Sequence, residues 1–127
     1  MTPTTLCERY LDALNRGDLD AVLALFLPDA RVSSPLYGDH DVTSFYTELF
    51  ADTARSETRL LHVFDSSASG SAVALHFAYD WTLANGTPVR FECVDVFKLS
   101  EDRERFAGIT IIYDTAPLRA EFAANKG

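Results

Sequence analysis

The chain of 127 residues is poor in cysteine, with only Cys7 and Cys93. Each lies in a segment that looks like a regular helix or strand. We therefore expect two free thiols in a reducing compartment rather than a disulfide framework. No apolar run reaches the roughly 18–20 residues that cross a membrane. The first residues also lack the basic and apolar stretches of a signal peptide. These absences predict a cytoplasmic protein with no membrane partner.

Positive charge is scarce as well. The chain has 11 Lys and Arg against 19 Asp and Glu, which gives a net charge of −8, and its basic residues are scattered. Because such a surface repels phosphates, we expect no nucleic-acid partner. Hydrophobic residues make up 47% of the chain and charged residues 24%, as in ordinary globular proteins. At this length we expect a single domain over residues 1–127.

Apolar spacing has the period of helices in the first half of the chain and of strands in the second. We predict three helices: one ending at Gly17, one capped by Asp18 and closed by Pro28, and one capped by Asp41. A short strand, 30–34, precedes the third. From Glu57 onward, apolar and polar residues alternate. This alternation predicts an antiparallel meander of strands 57–65, 71–83, 87–99 and 105–114, with looser turns at 68–70 and 100–104. Helices followed by a sheet indicate an α+β fold.

The Asn85-Gly86 pair is a signal for a two-residue hairpin loop. A loop of those two residues would place His76 directly across from Asp95 on one face of the sheet. The other members of this predicted pocket face are Ala78, Asp80, Thr82, Phe91, Cys93 and Phe97. The opposite face would then be too apolar to remain in water. We expect a homodimer through that face, which carries Leu75, Phe77, Tyr79, Trp81, Val94 and Val96.

Asp95 is the first candidate for a functional residue, because it interrupts an apolar strand face. Its neighbours on that face are Val89, Phe91, Cys93, Phe97 and Leu99. A carboxylate there is unfavourable unless it is hydrogen-bonded, paired or protonated, and desolvation moves its pKa toward working pH. Protonated, Asp95 could donate to a substrate oxygen; ionised, it could orient His76 or act as a base. The alternative is an inert buried carboxylate satisfied by backbone amides or one fixed partner.

Other polar side chains have weaker claims. His76 gains interest only from the predicted contact with Asp95, and His62 only shares a face with apolar neighbours. A metal site could in principle use both histidines with Asp80 and Asp95. No HxH or HExxH spacing exists, however, so we predict no metal. Tyr10 and Tyr46 lie on the apolar stripes of the first and third helices, where core filling is the simpler interpretation.

Several strings, in this order, resemble a known family. RYLDALNRGDLDAVLALFLPDARVSSP resembles the opening of the nuclear-transport-factor-2-like superfamily, in its ketosteroid isomerase and SnoaL-like polyketide cyclase branch. SFYTELF resembles its third helix, and NGTPVRFECVDVFKL its central hairpin. The resemblance covers nearly the whole chain. It implies a cone-shaped α+β barrel, in which three N-terminal helices pack on a strongly curved, mostly antiparallel sheet.

The resemblance also implies site residues. Tyr10 matches the tyrosine that donates to the substrate oxyanion, and Asp95 matches the carboxylic acid that is the second donor. Tyr46 matches a supporting tyrosine, while the general base aspartate of the isomerases is replaced here by Ser34. Ser34 cannot take a proton from carbon, so ketosteroid isomerisation by that mechanism is not expected. The remaining residues expected around the substrate are Phe26, His62, Phe91, Cys93, Phe97 and Tyr113.

The function implied is that of a small, cofactor-independent enzyme of isomerase, cyclase or dehydratase type. It would act on a hydrophobic carbonyl compound by oxyanion stabilisation, with His76 or Asp80 moving the proton in place of the missing base. The alternative is a non-catalytic ligand-binding or dimerisation module on the same fold. The enzyme needs Tyr10 and Asp95 to converge on an open point. A cone filled by aromatic side chains would favour the module.

Overall fold

Side-chain caps set the helix boundaries in the computed structural model, which describes residues 1–66 and 71–127. α1 (Pro3–Arg16) ends at Gly17, whose φ of 63° is the left-handed conformation that closes helices. α2 (Leu19–Leu23) and α3 (Val42–Ala51) begin after Asp18 and Asp41, whose carboxylates accept backbone N–H groups of the first turn. These three caps were predicted from the sequence. No helix of the described residues is long and apolar enough to cross a membrane.

The strands form one curved, unclosed sheet of order β2-β1-β6-β5-β4-β3. All neighbours are antiparallel except β1 and β6, which run parallel. The α+β class with a mostly antiparallel sheet is therefore confirmed. The predicted turn at 68–70 lies outside the described residues. The strands are β1 (Phe26–Ser34), β2 (Gly38–Asp41), β3 (Thr53–Asp65), β4 (Ala72–Leu83), β5 (Pro88–Leu99) and β6 (Phe106–Ile112).

Two element predictions are wrong. The second helix ends at Leu23 instead of continuing to Pro28, and Phe26 already begins β1. The Leu25 carbonyl there accepts the Phe106 N–H at 2.8 Å, so pairing with β6 competes with further helix. The C-terminal residues, for which the sequence predicts no element, form α4 (Arg119–Lys126). No residue of α4 is fully buried, which explains why its pattern was weak.

The β4–β5 hairpin has a loop of three residues, not two. The Leu83 N–H donates to the Thr87 carbonyl at 2.9 Å, and the Gly86 N–H donates to the Leu83 carbonyl at 2.8 Å. Gly86 has a φ of 91°, as expected for the last residue of such a loop. The extra residue shifts the register by one, which moves every side chain of one strand to the other face. Asp95 is consequently paired with Leu75, and the predicted pairing with His76 is wrong.

The shifted register reverses the predicted faces of β4. Leu75, Phe77, Tyr79 and Trp81 are 0% to 7% exposed and belong to the core beneath the helices. They therefore cannot form the predicted dimer face. Val94 and Val96 do lie on the outer face, half-buried, together with the exposed side chains Phe64 and Ile112. A homodimer stays a prediction, and an outer-face contact would use this second set of residues.

Candidate functional site

A cavity lies between the helices and the inner face of the sheet. It encloses about 430 Å³ of space not filled by atoms, including the part open to solvent. Eight of the fourteen residues that line the cavity are aromatic: Tyr10, Tyr37, Phe45, Phe77, Tyr79, Trp81, Phe91 and Tyr113. The others are Leu14, Ser34, Leu49, Cys93, Asp95 and Ile111.

Asp95 is the one carboxylate that lines the cavity among residues 1–66 and 71–127. It is carried on the inner face of β5 and is 1% exposed. Burial raises the pKa of Asp95 to about 7, while hydrogen bonds from Cys93 and Tyr10 act in the opposite direction. Both the acid and the carboxylate are therefore populated at neutral pH, and Asp95 can either donate or accept a proton.

Tyr10 and Tyr46 are joined by a buried hydrogen bond of 2.8 Å between their hydroxyl oxygens. Tyr10 comes from α1 and lines the cavity, whereas Tyr46 comes from α3 and lies behind it. Burial raises the pKa of both hydroxyls, so both remain protonated. Only one proton lies in the bond between them. When Tyr46 donates that proton, the hydroxyl proton of Tyr10 is available to Asp95 or to a ligand oxygen.

Cys93 lies two residues before Asp95 on the same strand face, which brings the thiol beside the carboxyl group. The distance from its Sγ to Asp95 Oδ1 is 3.1 Å, with the thiol donating. Burial and the neighbouring Asp95 raise the pKa of Cys93, so the thiol keeps its proton. Cys93 therefore stabilises the ionised form of Asp95.

Removing this donor is expected to raise the pKa of Asp95. Hydrogen bonds to charged groups contribute about 1.5–3 kcal/mol and thiols are weak donors, so Cys93→Ala should shift the titration upward by about one pH unit. Cys93→Ser, which keeps a donor, should shift it less. The carboxyl ¹³C resonance of Asp95 followed against pH measures this. Cys7→Ala, another buried thiol but outside the cavity, is the control. An unchanged midpoint in Cys93→Ala contradicts the assignment.

Ser34 stands at the end of β1 and lines another part of the cavity. Its hydroxyl oxygen accepts the Tyr37 backbone N–H at 3.3 Å, and it also hydrogen-bonds the Tyr113 side chain. Burial raises the pKa of Tyr113, so this pair is uncharged at neutral pH. Ser34 and Tyr113 offer hydrogen bonds to a ligand, but neither supplies a base.

His76 and Asp80 lie on the outer face, separated from the cavity by the sheet. His76 Nε2 is 2.7 Å from a Glu92 carboxylate oxygen, and its Nδ1 is 3.1 Å from His62 Nδ1. Asp80 accepts a hydrogen bond from Arg90 Nε at 2.6 Å. The predicted proton shuttle through His76 or Asp80 is therefore wrong, and His62 cannot contact a ligand in the cavity. The same register puts Asp95 on the opposite face of the sheet from the other three residues considered for a metal. No metal-binding group of three is found in the described part of the chain.

Phe26 and Phe97 were expected beside the substrate but fill the core next to it. Phe97 stacks on Phe106 with ring centroids 3.9 Å apart, and Phe26 lies 5.3 Å from Phe106. Sequence reasoning missed instead the aromatic side chains Tyr79 and Trp81. A signal for them existed, because their face of β4 is the more apolar one and apolar faces belong beneath helices.

A comparison with protein families identifies the chain. A family model described as a SnoaL-like domain matches residues 7–107, which is most of its length. The chain belongs to the SnoaL-like domain family. Its cone-like α+β architecture is the one that this family and its ketosteroid isomerase-like relatives share.

Solved structures similar to this SnoaL-like chain share its fold. An epoxide hydrolase/cyclase-like enzyme, SalBIII, described for pyran ring formation in the polyether salinomycin, has a TM-score of 0.76 and 19% identity over 90% of this chain and 92% of its own. A putative polyketide cyclase from Pseudomonas putida has a TM-score of 0.75 and 23% identity over 92% and 95%. A hypothetical protein with a ketosteroid isomerase-like fold from Catenulispora acidiphila, solved in complex with trimethylamine, has a TM-score of 0.78 and 12% identity over 97% of this chain and 95% of its own.

Proposed function

We propose that this protein is a cofactor-independent isomerase or cyclase, including dehydration chemistry, for small hydrophobic carbonyl compounds. Asp95 transfers the proton, and Tyr10 donates a hydrogen bond to the substrate oxygen. The observation that carries the proposal is the position of Asp95: a cavity-lining carboxylate with a pKa of about 7, beside a tyrosine hydroxyl. No other carboxylate or histidine of the described residues lines the cavity, so Asp95 has to move the proton itself.

The proposed step uses both protonation states of Asp95. Its carboxylate removes a proton from the carbon next to the substrate carbonyl, and the electron pair of that C–H bond forms an enolate. Tyr10 stabilises the enolate oxygen in a site from which water is largely excluded. In a β,γ-unsaturated ketone the electron pair is shared with the neighbouring double bond. The protonated Asp95 then returns the proton to the γ carbon and the double bond moves into conjugation with the carbonyl, which isomerises the substrate. In a cyclase the enolate carbon attacks a second carbonyl instead, and Asp95 protonates the alkoxide that forms.

The similar proteins support this class of chemistry. Proteins of the same fold are described as putative polyketide cyclases and as an epoxide hydrolase/cyclase-like enzyme in pyran ring formation. Ser34 in place of the isomerase base argues against ketosteroid isomerisation in its usual form. In the proposed reaction, Asp95 therefore acts as both the general base and the general acid.

Deuterium exchange tests the proposal without knowledge of the natural substrate. The protein is incubated in D₂O with cyclohexanone, β-tetralone and a β,γ-unsaturated cyclohexenone, and exchange at the carbon next to the carbonyl is followed by NMR. We expect wild type to accelerate exchange of at least one ketone. Asp95→Asn should reduce the rate at least about a hundredfold, the range for loss of a general base. Tyr10→Phe should reduce it about 10²–10³-fold, as for loss of an oxyanion donor.

Two variants on the outer face control for unspecific effects. His76→Ala and Asp80→Asn remove titratable groups on β4, the strand next to the one that carries Asp95, but on the face turned away from the cavity. Both should exchange ketones at the wild-type rate. Exchange that persists in Asp95→Asn contradicts the proposed role. No exchange of any ketone, combined with tight binding of one of them, would favour the alternative of a non-catalytic binding module.

A further inference from the structure

The wall of the cavity has the composition of a cation-binding site. The indole of Trp81 and the rings of Tyr79, Phe91 and Tyr113 line the space in which Asp95 lies. Phe91 connects them, with ring centroids 5.3 Å from Tyr79, 4.8 Å from Tyr113 and 6.4 Å from Trp81. Aromatic rings attract cations through their negative faces, and an alkylammonium group adds apolar contact with the same rings.

Asp95 has no positively charged partner. No lysine, arginine or histidine of the described residues lines the cavity, and no ion pair is formed by Asp95 there. Lys126 lies near another ring that lines the cavity, with its Nζ 5.3 Å from the centre of the Tyr37 ring. That lysine is already paired with Asp52 at 2.6 Å and with Glu48 at 2.8 Å. A buried carboxylate without a counter-charge is unfavourable, and a cationic ligand would supply the missing charge.

We propose that the cavity binds ligands that carry a small alkylammonium group, with the aromatic wall around the cation and the Asp95 carboxylate as its counter-charge. The inference uses the same cavity as the proposed function but does not depend on any reaction. The net charge of −8 favours the approach of such a cation, whereas it disfavours anionic ligands.

The two kinds of ligand have opposite pH dependences. A cation binds the ionised form of Asp95, so its affinity rises with pH and becomes constant above the Asp95 pKa of about 7. A neutral ligand that accepts a hydrogen bond from protonated Asp95 loses affinity over the same range. The other titratable groups around Asp95 stay neutral there, because burial raises the pKa of each. They are Cys7, Tyr10, Tyr46, Tyr79, Cys93 and Tyr113.

Choline and its neutral carbon isostere dimethylbutanol, (CH₃)₃C–CH₂CH₂OH, are the matched probes. Their affinities are measured by calorimetry or NMR titration from about pH 5.5 to 8.5. We expect choline to gain up to about tenfold per pH unit below the Asp95 pKa, and to bind at least about tenfold tighter than the isostere above it. Asp95→Asn should abolish both the pH dependence and the preference. Asp80→Asn changes the net charge equally but outside the cavity, and should retain them.

Equal affinity for choline and the isostere at high pH overturns the proposal, as does a preference that survives in Asp95→Asn. The result is distinguishable from failure of the proposed function, because choline binding requires no turnover. If ketones exchange but choline binds no tighter than the isostere, the proposed reaction is supported and the cation site is contradicted. If choline binds tighter but no ketone exchanges, the cation site is supported and the proposed reaction is contradicted.

Discussion

Asp95→Asn is expected to be more stable than wild type at pH 8, by an amount that disappears toward pH 4. The pKa of Asp95 rises from 3.8 to about 7 on folding because the carboxylate is desolvated. Between these values the folded protein binds a proton that the unfolded chain does not. The free energy of unfolding therefore falls as the pH rises through this window, by about 4 kcal/mol in all at 1.36 kcal/mol per unit.

Asparagine avoids that loss because it carries no charge. It keeps an acceptor for the Cys93 thiol but adds an amide that needs a partner, which offsets about 1–3 kcal/mol. We therefore expect a net gain of about 1–3 kcal/mol at pH 8. At pH 4 the cost of the amide remains while the charge contribution has nearly vanished, so a loss of about 1–2 kcal/mol is expected there. Urea unfolding of both proteins across this range measures it. Asp80→Asn, on the exposed outer face, should remain within about 0.5 kcal/mol of wild type.

An Asp95→Asn variant that is destabilised by several kcal/mol at every pH would contradict this picture. It would mean that Asp95 holds the fold together as an ionised partner. Stabilisation with loss of ketone exchange would instead mark Asp95 as a group kept for function at the expense of stability.

Phe97→Ala is expected to lower the free energy of unfolding by about 3–5 kcal/mol, the range for truncating a buried phenylalanine. Phe97 is completely buried and stacks on Phe106 with ring centroids 3.9 Å apart. Its ring also meets the edge of Tyr10, at 5.1 Å between centroids. The cavity left by alanine would remove contacts from both rings, and the midpoint of urea unfolding should fall with the slope unchanged.

Phe64→Ala is the matched control for Phe97→Ala, since Phe64 is 57% exposed on the outer face. It should change the free energy of unfolding by no more than about 0.5 kcal/mol. If Phe97 contacted the ligand, as the sequence suggested, alanine there would weaken binding and leave stability nearly unchanged. A large stability loss in Phe97→Ala alone supports its place in the core.

Local rules explain why much of the fold could be predicted. The caps at Asp18 and Asp41 depend on a side chain and a backbone N–H three residues away, and Gly17 closes α1 by its own φ preference. Asp95 was recognisable because residues two apart share a strand face whatever the register. Its neighbours at positions 93 and 97 are apolar, so Asp95 had to be a buried acid on an apolar face. The helix period placed Tyr10 and Tyr46 on apolar stripes. Their hydroxyl contact also depends on the packing of α1 against α3.

The predicted proton transfer by His76 or Asp80 failed because the loop of the β4–β5 hairpin is one residue longer than predicted. Asn85-Gly86 suits a two-residue loop as well as a three-residue loop, because Gly86 takes a positive φ in either. Only the pairing of Leu83 with Thr87 decides between them. That one residue moved His76 and Asp80 to the outer face and brought the aromatic side chains of β4 into the cavity.

Distant contacts decided the rest. α4 buries no residue fully, and it is held by Lys126 against Asp52 and by a hydrogen bond of 3.2 Å from the Asn125 amide to the Asp52 carbonyl. The parallel pairing of β1 with β6 likewise joins segments far apart in the chain. The sequence by itself determined most of the helices and strands, the caps and the unusual burial of Asp95, since these follow from interactions within a few residues. The tertiary structure alone decided what surrounds Asp95, because strand register depends on contacts that no local pattern specifies.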